Sequence, residues 1–227
     1  MPVYTIKTGS LQKPTDEQYM RKADYRLYEK RDSYVLGFHG CDKRTAEALL
    51  KNDTPTFKPS QNDYDWLGHG MYFWENDVLR AWEFIKEAKT REPKRIKIPV
   101  VIGAVIDIGY CLDLAERKYT DLVKDAYIKY EKFTKKMGMP MPSNNDGFKG
   151  DKDMVLRNLD RAVIEFLHET IKKTNKNKPF DTVRCIFPEG EPLYEGAGFR
   201  KKTHIQIAVR NPDMIKGYFR PIKHHNK

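Results

Sequence analysis

The sequence predicts an α+β domain. Short apolar runs of strand length are interspersed with helical periodicities, and long loops rich in Pro, Gly and Asn separate them. No regular strand–helix–strand alternation announces a parallel sheet. With 227 residues, 39% of them hydrophobic, the chain can fill one substantial core. The expectation is one domain over 1–227 with a helical insertion at about 113–178.

Residues 1–33 are polar and aromatic, with a helix predicted over Asp16–Lys30. Tyr34–Phe38 (YVLGF) is a buried strand by length and composition, ending in His39-Gly40-Cys41-Asp42. Asp42 is placed to N-cap the helix KRTAEALLKN, which Asp53 and Pro55 terminate. TPTFKPSQNDYDWLGHG reads as a long ordered loop running into the strand MYFW. Asn76 or Asp77 then caps a helix over VLRAWEFIKEAKT. Residues 98–108 (IPVVIGAVIDI) are apolar at nearly every position, as in a central strand. Helical periodicity returns from Asp113 to about Lys136 and from Asp151 to Thr174, around a loop, MGMPMPSNNDGFKGD, expected to be mobile. Strands follow at TVRCIF (182–187) and THIQIAV (203–209), joined by PEGEPLYEGAGFRKK, and a last strand is expected near GYFRPI.

The formal charge is +10, spread over several basic stretches such as KEAKTREPKRIK, KYEKFTKK, KKTNKNK and FRKK. That balance favours polyanionic partners, nucleic acid foremost. Cys41, Cys111 and Cys185 are odd in number and form no CxxC pair, so neither a disulfide framework nor a metal site is expected. The opening MPVYTIKTGS lacks a signal-peptide pattern, and no apolar run approaches the roughly 20 residues of a membrane span. The expected setting is the cytoplasm, with no membrane partner.

Two stretches carry recognisable chemistry. In His39-Gly40 the missing glycine side chain lets a flat ligand approach the backbone N–H and C=O, as a primary carboxamide requires. The imidazole beside it can hydrogen-bond a ribose hydroxyl. In Tyr64–Trp74 (YDWLGHGMYFW) two glycines precede an aromatic strand, and the Tyr72 ring can stack on a flat heteroaromatic ring. In the following helix, Ala81 and Phe84 are three apart and face the same way, Ala81 leaving room and Phe84 able to close the sandwich.

HG after a strand, then a helix, then GxGxYF, then a helix with a small residue and an aromatic, resembles the ADP-ribosyltransferases of the diphtheria-toxin and poly(ADP-ribose) polymerase type. The resemblance covers residues 34–90 well and 182–220 loosely, and leaves out the helical middle. It implies a split β-sheet core and NAD⁺ as substrate. His39 and Gly40 would hold the ribose and the nicotinamide amide, Tyr72 would stack on nicotinamide, Phe84 would cover the opposite face, and Ala81 would stand where the family often has Ser. The family's third motif is a polar residue, usually Glu, on a later strand. In Thr203–Val209, alternation puts Ile205, Ile207 and Val209 on one face and His204, Gln206 and Ala208 on the other. Gln206 matches the catalytic position, with His204 second, and should face the same cleft as His39 and Tyr72. Gln carries no charge to stabilise a cationic centre. A carboxylate from the preceding loop, Glu189, Glu191 or Glu195, is the alternative, with Glu195 best placed by sequence as a general base on the acceptor.

The implied reaction transfers ADP-ribose from NAD⁺ by dissociative displacement at the ribose C1′. The absence of GxGxxG argues against a dinucleotide-binding dehydrogenase. Net charge points to nucleic acid, RNA first, as acceptor, with Tyr194 and Phe199 positioned to stack an unpaired base. A protein acceptor, or a noncatalytic module binding NAD or nucleic acid, are the alternatives. The resemblance extends to bacterial toxins of toxin–antitoxin and phage-defence systems, some of which modify nucleic acid, and so implies an antitoxin protein as a partner.

Overall fold

The computed structural model describes residues 34–51, 57–145, 156–174 and 178–222. The chain divides into two compact units, Met1–Asp32 and Ser33–Lys227. The first lies outside the described residues, and with it the helix expected over Asp16–Lys30.

The second unit is α+β. Its elements are β1 (Tyr34–Asp42), α1 (Lys43–Leu50), β2 (Met71–Glu75), α2 (Val78–Arg91), β3 (Pro99–Asp107), β4 (Cys111–Asp113), α3 (Arg117–Met137), β5 (Asn144–Asn145), β6 (Leu156–Arg157), α4 (Asn158–Thr174), β7 (Thr182–Phe187), β8 (His204–Val209) and β9 (Ile215–Phe219). Seven strands form one mixed sheet in the order β4-β7-β8-β2-β1-β3-β9, and β5 and β6 pair separately. Among the described residues only the edge pair β4–β7 is parallel.

Short polar side chains set the element boundaries. Asp42 closes β1 and caps α1 by accepting from Arg44 N. Its other oxygen accepts from Lys97 N at 2.8 Å and Ile98 N at 2.9 Å, which ties down the approach to β3. Asp77, rather than Asn76, caps α2; Asn76 adopts φ 53°, a left-handed turn that asparagine tolerates. Gly138, at φ 64°, stops α3. Asn144 Oδ1, in β5, accepts from Leu159 N and Asp160 N, capping the first turn of α4.

Both faces of the sheet are covered. Phe73, Ile102, Ala104, Ile106, Ile207 and Val209 form one core with Ala46 and Leu49 of α1 and with Phe57. On the other face α2 packs Ala81 against Phe38 and Trp74. Ala126 of α3 and Val163, Ile164 and Leu167 of α4 meet Val183, Phe187 and Ala208 there. Arg184 of β7 ties together β4 and, across β8, β2, by bonding Asp113 Oδ2 (3.0 Å) and both oxygens of Glu75 (2.6 and 3.1 Å). β3, expected at the centre, is the penultimate strand; its apolar run reflects coverage on both faces, not a central position. β9 starts at Ile215, ahead of the expected GYFRPI. The two- and three-residue strands β4, β5 and β6 are too short to leave a periodicity. No helix among the described residues is long and apolar enough to cross a membrane.

Candidate active site at the fork of the sheet

β1 pairs with β3 along its whole length, from Tyr34↔Asp107 to Asp42↔Pro99. With β2 it pairs only at Gly37↔Glu75 and Phe38↔Trp74. Beyond Phe38 the two strands part, and β2 continues alongside β8 from Trp74↔Gln206 to Met71↔Val209. The sheet therefore forks, with His39-Gly40 on one prong and Gly70-Met71-Tyr72 on the other.

At the fork a side chain replaces a rung of the ladder. Leu36 O accepts from Asn76 N, so the backbone groups of Leu36, Phe38 and Gly40 all point toward β2. The same register would pair Gly40 with Tyr72. Instead His39 Nδ1 lies 2.7 Å from Tyr72 O. A carbonyl only accepts, so Nδ1 carries the proton and Nε2 keeps a lone pair. Burial lowers the His39 pKa, and the bond to Tyr72 offsets part of that drop. No strand among the described residues meets Gly40 on the edge that faces the fork.

Several sequence expectations change at this point. His39-Gly40 does not leave β1 but sits inside it, because the strand runs on to Asp42. Nor does His39 share a face with Gln206. Phe38 and Trp74 are directly opposite, as are Trp74 and Gln206, so Phe38, Trp74, Gln206, Tyr72 and Ala208 point one way. His39 points the other way, its ring 4.3 Å from that of Phe57 and 5.8 Å from that of Phe73. Gly40 is required by a helix as well as by any ligand. A methyl there would stand 2.6 Å from Ile85 Cβ and 2.7 Å from Ala81 O, so α2 packs against this glycine.

The aromatic sandwich is also arranged differently. The Tyr72 hydroxyl donates to Gly68 O at 2.7 Å and accepts from Leu67 N at 2.9 Å, pinning the WLGHG turn. Burial, first of all, pushes its pKa up. Ala81 is fully buried and fills the space beside Gly40. Phe84 rests on Trp74, with centroids 4.9 Å apart, and does not oppose Tyr72. Of the loop glutamates, Glu195 and Glu191 are exposed, whereas Glu189 is buried.

Glu189 belongs to a polar group on the Gln206 face that the sequence only partly signalled. Its Oε2 lies 3.3 Å from Arg80 Nη2 and 3.9 Å from His204 Nδ1. His204 Nδ1 donates to Lys202 O at 2.7 Å, so its Nε2 is a bare acceptor. Burial holds the His204 pKa down at about 4. Among the described residues, His204 Nε2, the Trp74 indole N–H and Arg80 Nε and Nη1 are buried without a hydrogen-bond partner. Buried donors and an acceptor thus converge under the loop between β7 and β8. Trp74 and Arg80 were invisible to motif reading, because a core tryptophan and a helical arginine carry no local signature. Gln206 is half-buried in this face, between Trp74 on β2 and Cys185 on β7. Cys41 and Cys185 are free thiols whose pKa burial pushes up, to about 12 and about 11.

The described unit is therefore an α+β protein whose mixed sheet forks between β1 and β2 beside a buried polar cluster. The chain is 27% identical, over 195 residues, to an uncharacterized protein of Methanocaldococcus jannaschii; the match spans 79% of this chain and 83% of that protein. No protein-family profile matches the chain. No solved structure matches it.

Proposed function

We propose that the protein transfers ADP-ribose from NAD⁺ to a nucleic-acid acceptor, with RNA the leading candidate. The observation that carries the reading is the fork. It leaves the N–H and C=O of Gly40 facing a gap, the complementary pair that a primary carboxamide such as nicotinamide hydrogen-bonds. Further support is that β1, β2 and β8, which bear His39-Gly40, Tyr72 and Gln206, are consecutive in the sheet although their residues are far apart in the chain. His39 Nε2 is an acceptor available to a ribose hydroxyl on its side of the fork. On the opposite face Glu189 supplies the negative charge that Gln206 lacks, and it stabilises the cationic sugar as nicotinamide leaves. Arg80 and the exposed lysines of α3 serve the phosphates and the acceptor. Tyr194 and Phe199, 60% and 68% exposed at the end of the β7–β8 loop, present rings to an unpaired base.

The uncharged Gln206, together with the engagement of Glu189 by Arg80, favours a second reading, a noncatalytic NAD-binding module. Incubating the full chain with NAD⁺ labelled in both the nicotinamide and adenylate halves, plus RNA, DNA or total protein, separates the two. Nicotinamide release with adenylate label on RNA is the expected result. Label that resists nuclease and yields to protease overturns the acceptor assignment. NAD⁺ binding without nicotinamide release establishes the module instead.

A further inference from the structure

A cleft of about 410 Å³, within the size range of small-ligand sites, is lined by His168 and Lys172 of α4, by Pro59 and Gln61, and by residues 69–70, 178–181 and 210–211. None of the residues assigned above to NAD⁺ lines it. His168 does, and it is fully buried. Its Nδ1 lies 2.8 Å from Ile164 O one turn back, so Nδ1 donates and Nε2 presents a lone pair. Burial holds the ring neutral, with a pKa of about 4. Nε2 is buried and has no partner among the described residues. An acceptor left so is destabilising unless something donates to it.

The rest of the cleft says what that donor belongs to. Phe180, buried and stacked on Tyr110 at 4.4 Å, meets the His168 ring edge-to-face at 5.8 Å, and Pro59 and Pro179 supply the apolar wall. Lys172 and Lys178 also line the cleft, with side chains 53% and 66% exposed. Each is paired once, Lys172 with Glu169 at 3.0 Å and Lys178 with Asp181 at 2.9 Å, leaving further N–H donors on each ammonium. Arg210 is already committed to Glu165 (2.6 and 3.1 Å) and to His69 O (2.9 Å). The cleft thus combines a buried acceptor, apolar walls and two lysines with spare donors. A bare anion would be repelled by the His168 lone pair, and a purely apolar ligand would leave it unmatched.

We propose that this cleft binds a nucleoside monophosphate. Its phosphate lies between Lys172 and Lys178, its ring lies against Pro59 and Pro179, and an amino or hydroxyl group donates to His168 Nε2. The site is independent of the transferase reading.

The test is calorimetric titration of the full chain with AMP, adenosine and inorganic phosphate at low salt. AMP is expected to bind at least about tenfold more tightly than either fragment, since each supplies only part of the contacts. The exposed double variant Lys172→Glu/Lys178→Glu should weaken AMP by about tenfold or more, and His168→Phe by about tenfold. The His168 Nε2 nitrogen resonance of the wild-type protein, which needs no core substitution, should shift on adding AMP from that of a bare acceptor toward that of a bonded one. Absence of AMP binding, or AMP affinity unchanged in the lysine variant with the Nε2 resonance unmoved, overturns the proposal. AMP affinity lost instead in Gln206→Ala or Glu189→Gln puts the nucleotide at the fork and overturns it too.

Discussion

His39 Nδ1 bonds Tyr72 O at 2.7 Å and occupies the rung that the Gly40 N–H would otherwise fill. One side chain thereby holds two strands apart while satisfying the Tyr72 carbonyl. Replacing it by leucine should destabilise the protein by about 1–3 kcal/mol, read from urea unfolding. The Gly40 amide should gain protection in hydrogen exchange as β1 and β2 close. Exchange at Gly40 that does not change would show that the histidine does not keep the fork open.

Gly40→Ala tests the packing of α2 against the His39 prong. The added methyl meets Ala81 O and Ile85 Cβ at well below contact distance, and backbone cannot yield as a flexible side-chain end does. A loss of about 1–3 kcal/mol is expected, the usual cost of overfilling a packed core. A melting temperature equal to wild type would mean that α2 shifts freely off β1.

Under the proposed transferase reading, burial predicts which glutamate matters for NAD⁺ turnover. Glu189→Gln should slow nicotinamide release about 100-fold or more, the scale of losing a preorganised electrostatic group. Glu195→Gln, on an exposed loop, should change the NAD⁺ hydrolysis rate only a few-fold. The reverse ranking, measured without acceptor, would move the key charge to Glu195.

Acid should destabilise the fold before its carboxylates titrate. His168 and His204 titrate at about 4 in the native protein against 6.5 in the unfolded chain, both because of burial. Between those values the unfolded state binds more protons, so stability is full above pH 6.5 and falls as pH drops toward 4. Each contributes on the order of 3 kcal/mol across that window. His39, also lowered by burial, adds in the same sense. Asp65, raised by burial, opposes it at the acid end. Glu165 is raised by burial, but its bonds and charge pairing with Arg210 outweigh that and hold it at about 2, so its contribution goes only below pH 4.5. Urea midpoints at pH 7, 5.5 and 4.5 should decline steadily, and less so in His168→Phe. A flat profile from 7 to 4.5 would rule out neutral buried histidines.

What the sequence by itself determined is the order and kind of most elements, together with the Asp42 cap and the choice of Asn76 or Asp77 for the next helix. Six-residue β7 coincides with TVRCIF, α2 with VLRAWEFIKEAKT plus one residue, and Asp42 and Asp77 start their helices, because alternation, helical period and capping are local properties. Alternation within THIQIAV likewise separated Gln206 from Ile207. Only the tertiary structure decided what those faces meet. The face shared by Tyr72 and Gln206 follows from the register Tyr72↔Ala208 and Trp74↔Gln206, which joins strands some 130 residues apart. The same register, carried through Phe38↔Trp74, turns His39 to the opposite side. A one-residue shift would have reversed that outcome without altering any local pattern. The burial of Glu189 beside Arg80 and His204 depends in the same way on how a long loop folds over a distant helix, and no spacing along the chain encodes it.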